Sequence, residues 1–109
     1  MQAPVIVNIS QFKPPYVEPF NIRVQPGDTI TLKTDDKTSA AVVIPGVKLF
    51  TDLQNKDNYH QFVIDEGSER TIKISDTGTS GYYTFHVFMI QIGKFADNPG
   101  YSAPKIIIQ

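Results

Sequence analysis

Two histidines and two methionines, His60, His86, Met89 and Met1, are the imidazole and thioether groups of the chain. It contains no cysteine, so disulfides, zinc–thiolate sites, thiol nucleophiles and iron–sulfur clusters are excluded. Two imidazoles and a thioether could in principle hold copper, which makes His86, His60 and Met89 one candidate metal set. Strand alternation opposes it. If Tyr83, Phe85, Val87 and Met89 face inward, His86 faces the other way, and the two donors meet only across a bulge. Met89 then reads as core, and His86 as a surface residue. His60, beside Tyr59 in a polar stretch, reads as an exposed histidine.

Catalytic groupings are absent from the pattern. Serines are frequent but no Gly-x-Ser-x-Gly elbow occurs, and Thr79-Ser80-Gly81 is better explained as a turn. The carboxylates pair as Asp35-Asp36 and Asp65-Glu66. Neighbours on a strand diverge, and Asp is favoured in turns because its side chain caps local backbone. A calcium site built from Asp35, Asp36 and loop carbonyls would need several more convergent oxygens. No glycine-rich phosphate loop is present. The chain is therefore expected to be non-catalytic, with no cofactor.

The elements that would position these residues are strands. The 109 residues suit a single domain over 1–109, and a 40% hydrophobic, 19% charged composition supports a packed core. A net charge of −1 with scattered cations argues against nucleic acid. No apolar run is long enough to span a membrane, and no basic amphipathic helix is visible.

Alternation and β-branched runs recur, broken by Pro, Gly and Asp. Pro4–Ser10 reads as a strand with Val5, Val7 and Ile9 on one face, and Pro14–Pro19 as an extended, irregular stretch. Phe20–Val24 and Thr29–Thr34 form a hairpin about the turn Gln25-Pro26-Gly27-Asp28, where proline presets φ and Gly27 takes positive φ. Ala40–Ile44 reads as a fully buried strand. Phe50-Thr51-Asp52-Leu53 reads as a short helix or loop. Strands follow at Gln61–Ile64, Arg70–Ser75, Tyr82–Ile92 (the longest) and Pro104–Gln109, with a loop over Gly93–Gly100. About eight strands at this spacing give an all-β, Greek-key sandwich, with an immunoglobulin-like sandwich as the alternative.

Three stretches, in order, resemble the cupredoxin family of plastocyanin and azurin. Ile22, Val24, Gly27, Asp28, Thr29, Ile30 and Leu32 are similar to its I-x-V-x-x-G-D-T-I-x-L hairpin. Ala40-Ala41-Val42-Val43-Ile44 sits where the family has His-Asn-Val-Val. Gly81-Tyr82-Tyr83-Thr84-Phe85-His86-Val87 looks like Gly-x-Tyr-x-Phe-x-Cys. The resemblance implies a copper site of two His, one Cys and a weak axial ligand, and this chain departs from it. The first His position falls on Ala40, the Cys on Val87 and the axial Met near Phe95. Phe88–Lys94 contains no second His. The resemblance thus implies a cupredoxin-like sandwich without copper ligands, its metal cavity filled as core.

What remains is apolar surface. Tyr82, His86, Phe88 and Ile90 form a contact surface on the long strand, whose two faces both carry apolar groups. The expected function is a binding or assembly module acting through protein–protein contacts, with a protein partner or self-association. A copper protein of unusual ligands is the second reading. The third is a carbohydrate-binding sandwich with Tyr16, Tyr59, Tyr82 or Tyr101 as stacking platforms. The resemblance implies a periplasmic or extracellular location, and Met1-Gln2-Ala3-Pro4 is compatible with an initiator placed before a mature start.

Overall fold

The computed structural model describes residues 4–11, 16–45, 59–76, 80–96 and 103–109; of Pro45, Tyr59 and His60 it describes the backbone. Phe50–Leu53 and Tyr101 lie outside the described residues. The described chain is all strand and turn. In order the strands are β1 (Val5–Ser10), β2 (Tyr16–Glu18), β3 (Asn21–Val24), β4 (Thr29–Thr34), β5 (Ala40–Pro45) and β6 (Tyr59–Ile64). Then come β7 (Glu69–Lys73), β8 (Gly81–Thr84), β9 (His86–Met89), β10 (Lys94–Phe95) and β11 (Lys105–Ile108).

They pair as β2-β1-β4-β7, β10-β9-β5-β6 and β3-β11-β8. Most ladders are antiparallel, but β1 runs parallel to β4 and β11 parallel to β3. Both parallel partners are separated in sequence by other strands, so the chain crosses between layers, as in a sandwich.

Alternation fixes which side of each strand is buried. Val7 and Ile9, Ile22 and Val24, Ile30 and Leu32, and Ile106 and Ile108 all point into one apolar cluster, joined by Val42, Ile44, Val87 and Met89. Each such aliphatic side chain contributes roughly 1.5–3 kcal/mol on burial. The turn between β3 and β4 falls where expected, but the two strands do not pair as the expected hairpin: β3 joins β11 in one sheet, and β4 joins β1 and β7 in another. Gly27 has φ +89°, and an added Cβ would lie 2.9 Å from Asp76 Oδ1. The Asp28 carboxylate accepts the Gln25 amide proton at 2.9 Å.

Four further segments depart from the sequence expectation. Tyr16–Glu18 is not irregular but an edge strand antiparallel to β1. A short extended segment bounded by prolines is well suited to an edge, where a missing N–H is tolerated. The expected long strand Tyr82–Ile92 is two strands. The Phe85 amide donates to Pro104 O at 3.0 Å, β8 pairs with β11, and β9 leaves to pair with β5. The chain then reverses at Ile90–Gly93, where the Gly93 amide donates to Met89 O at 2.9 Å, so Lys94–Phe95 pairs back as β10 inside the expected loop. Finally, β5 is buried on one face rather than both: Ala40, Val42 and Ile44 are enclosed, while Ala41 and Val43 are half-buried.

Candidate functional site

The positions Ala40 and Val87, which the sequence resemblance assigns to copper ligands, lie in the apolar core. Ala40 stands opposite Met89, and Val42 opposite Val87, on the inward side of β5 and β9. All four side chains have 0% exposure. Phe85, also fully buried, continues that side toward β8. The donor set does not fit copper. No cysteine exists to supply a thiolate. The Met89 thioether points into the core, and His86, three residues earlier, points out of it. His60 lies in β6 opposite Ile44, but its side chain is outside the described residues. Among the described residues no three His, Asp or Glu side chains gather to hold a metal.

Phe95, the third residue at an expected ligand position, lies elsewhere. It pairs with Phe88, which pairs with Ala41, so its ring is on the outward side of the sheet, away from Ala40 and Val87. There it packs edge-on against Phe88, with ring centroids 5.0 Å apart, and lies 6.3 Å from His86.

The acidic pair Asp35-Asp36 works as turn chemistry. The Asp35 carboxylate accepts the Ser10 hydroxyl at 2.6 Å and the Lys37 amide at 2.8 Å. Its carbonyl accepts the Gly67 amide at 2.7 Å. Burial alone would raise this carboxyl, but hydrogen bonds from Ser10, Lys37 and Thr38 hold it below the ordinary value of 3.8. These bonds tie the end of β1 to the β4–β5 and β6–β7 turns.

The outward side of the β10-β9-β5-β6 sheet is the feature that protein structure leaves unexplained. Register places Phe95 beside Phe88, Phe88 beside Ala41 and Ala41 beside Val63, with Val43 between His86 and Gln61 in the next row. Phe95 is 54% exposed and Val63 is 56% exposed. No carboxylate, lysine or arginine stands on that side among the described residues. The outward side of the opposite layer is a contrast. There Glu18, Asn8, Lys33 and Glu69 follow one another across β2-β1-β4-β7, and the Thr31 and Thr71 hydroxyls meet at 2.9 Å. Ile6, 46% exposed, and Tyr16, 42% exposed, also lie on that side, but there they stand among charged and polar residues, whereas the paired residues of the first side include no acid, Lys or Arg.

Of the expected contact surface, His86 and Phe88 lie on this apolar side. Tyr82, 74% exposed, stands on the outward side of the neighbouring sheet opposite Ile107, and Ile90 is in the β9–β10 turn. Phe95, Val63, Ala41 and Val43 belong to the patch without having been anticipated in it. Reading β5 as buried on both faces hid Ala41 and Val43, and Phe95 was assigned to a ligand position. The available signal was parity: in β6, Val63 is out of phase with the enclosed Ile64.

No family model matches the chain, and no curated protein sequence matches it. Solved structures do. A reduced Cu(I) form of an amicyanin variant at pH 4 superposes with a TM-score of 0.64 at 12% identity, covering 100% of this chain and 85% of that one. The reduced state of another amicyanin variant gives 0.64 at 14% identity, covering 98% and 83%. A copper-containing nitrite reductase from Thermus scotoductus SA-01 gives 0.56 at 16% identity over 100% of this chain and 23% of that one. These likenesses are of fold. With the geometry above, they make the chain a cupredoxin-like β-sandwich whose described residues offer no copper ligand set.

Proposed function

We propose that this domain is a non-catalytic binding module that contacts another protein through the outward side of β10-β9-β5-β6. The observation that carries the reading is the exposed pair Phe95 and Val63 on a sheet face without formal charge. Four strands about 4.8 Å apart and four residues of about 3.3 Å rise give roughly 250 Å² of face. That is the apolar core of a contact, to be completed by a polar rim toward the ~800 Å² per partner of a standard interface. The half of the Phe95 ring still exposed, about 110 Å² of a side chain that buries roughly 200 Å², could add up to about 2.7 kcal/mol on contact, or near a hundredfold in affinity. The cupredoxin-like fold supports a periplasmic or extracellular setting.

The test is photo-crosslinking in the natural host from a benzoylphenylalanine at position 95, with the same group at Lys33 on the opposite layer as control. One discrete crosslinked species from position 95, abolished by Val63→Asp, is expected; a species of twice the chain mass would identify a second copy. Equal yields from both positions would refute the proposal.

A further inference from the structure

We infer that the edge of β6 opposite β5, which pairs with no other strand among the described residues, accepts an extended acidic segment of a partner protein as an added strand. The inference goes beyond the apolar face, because it rests on a backbone edge and one cation. A sheet edge presents unpaired N–H and C=O groups, and proteins ordinarily guard it with charge, proline or shortness. The other edges are guarded. The edge strand β2 has three residues and runs into Pro19; β10 has two, one of them Lys94. Along β7 stand Glu69, Arg70 and Lys73, and β3 carries Arg23. Strand β8 is short and starts at Gly81.

By contrast β6 is six residues long, Tyr59-His60-Gln61-Phe62-Val63-Ile64, with no Pro, Gly, acid, Lys or Arg. Among the described residues its one strand neighbour is β5. Arg70, on the edge of the facing layer, stands with its guanidinium 4.8 Å from the centroid of the Phe62 ring. It is exposed, and among the described residues no carboxylate pairs with it. A cation held against an aromatic beside an open strand edge fits a carboxylate on the inward side of an incoming strand. On the outward side the incoming strand would lie next to Val63, where an apolar residue fits. The partner chemistry is thus an extended segment alternating acidic and apolar residues, bound by main-chain pairing as in other β-augmentation.

A blocked nine-residue peptide alternating Val and Glu, titrated into the isotopically labelled full chain, tests this by NMR. Amide shifts are expected to concentrate at Gln61–Ile64. Binding should weaken at least fivefold in 0.5 M NaCl and in Arg70→Gln, and be lost when alternate peptide nitrogens are methylated. A Val/Lys peptide should bind at least tenfold more weakly. Phe95→Ser should leave peptide binding unchanged, which separates this inference from the contact proposed for the apolar face. No binding at 1 mM, equal binding of the Val/Lys peptide, or shifts centred elsewhere would overturn it. So would concentration-dependent protection of Gln61–Ile64 without peptide, which would show the edges pairing with one another.

Discussion

Val87→Cys puts a thiol at the position that the sequence resemblance assigns to a cysteine ligand, and its burial predicts that it will behave as a small core residue. Val87 is fully enclosed, opposite Val42. The exchange removes about one methyl group, worth ~0.8 kcal/mol of transfer, and leaves a void of roughly 20 Å³ costing about 0.5 kcal/mol. A loss of about 1–1.5 kcal/mol in denaturant unfolding, with unchanged slope, is expected. The thiol has no cation beside it to favour the thiolate, and burial raises its pKa. A disulfide reagent must wait for the domain to open. At the lower end of ordinary stability, about 4 kcal/mol after the substitution, the reaction should run near a thousandfold slower than in the urea-unfolded chain. Added Cu(II) should give no thiolate-to-copper absorption band, because Ala40 contributes a methyl group and His86 faces outward. Labelling within tenfold of the unfolded rate, or a blue protein, would refute the reasoning.

Two further outcomes follow from the turn network. Asp35→Asn should cost about 1–2 kcal/mol at pH 7 by weakening the bonds from the Ser10 hydroxyl and Lys37 amide. Because the folded carboxyl lies below 3.8, its stabilisation is present above that pH and fades as pH falls through the lower folded value, so wild type and variant should converge in acid urea melts. Thr34→Val should cost about 1–3 kcal/mol: the Thr34 hydroxyl donates to Asp65 O at 2.7 Å and accepts from the Ser68 amide at 3.2 Å, both at the shielded end of β4. Thermal melts that change by less than 0.5 kcal/mol would show that the β6–β7 turn is satisfied by its own backbone.

The strands containing Ile22 and Val24, or Ile30 and Leu32, were legible from strict alternation with a Pro-Gly turn between them, but their pairing as a hairpin was not: β3 pairs with β11 and β4 with β1 and β7. Their faces, and the inward set Tyr83, Phe85, Val87 and Met89, follow from period two alone. The break at Phe85 was not legible: a continuous apolar run gives no sign that one amide will bond to Pro104 and the next strand will leave for another sheet. Nor was the apolar patch, since Phe95, Phe88, Ala41 and Val63 come from four strands and become neighbours through register.

By itself the sequence determined an all-β sandwich, the buried side of β1, β3, β4 and β9, and the absence of a thiolate for copper, because side-chain period and donor chemistry are local properties. Tertiary structure alone decided that Phe95 turns away from Ala40 and Val87, that β6 has β5 as its one strand neighbour among the described residues, and that Arg70 reaches Phe62. Those facts depend on which distant strands pair and in what register, and that is set by closing one common core rather than by any short stretch of chain.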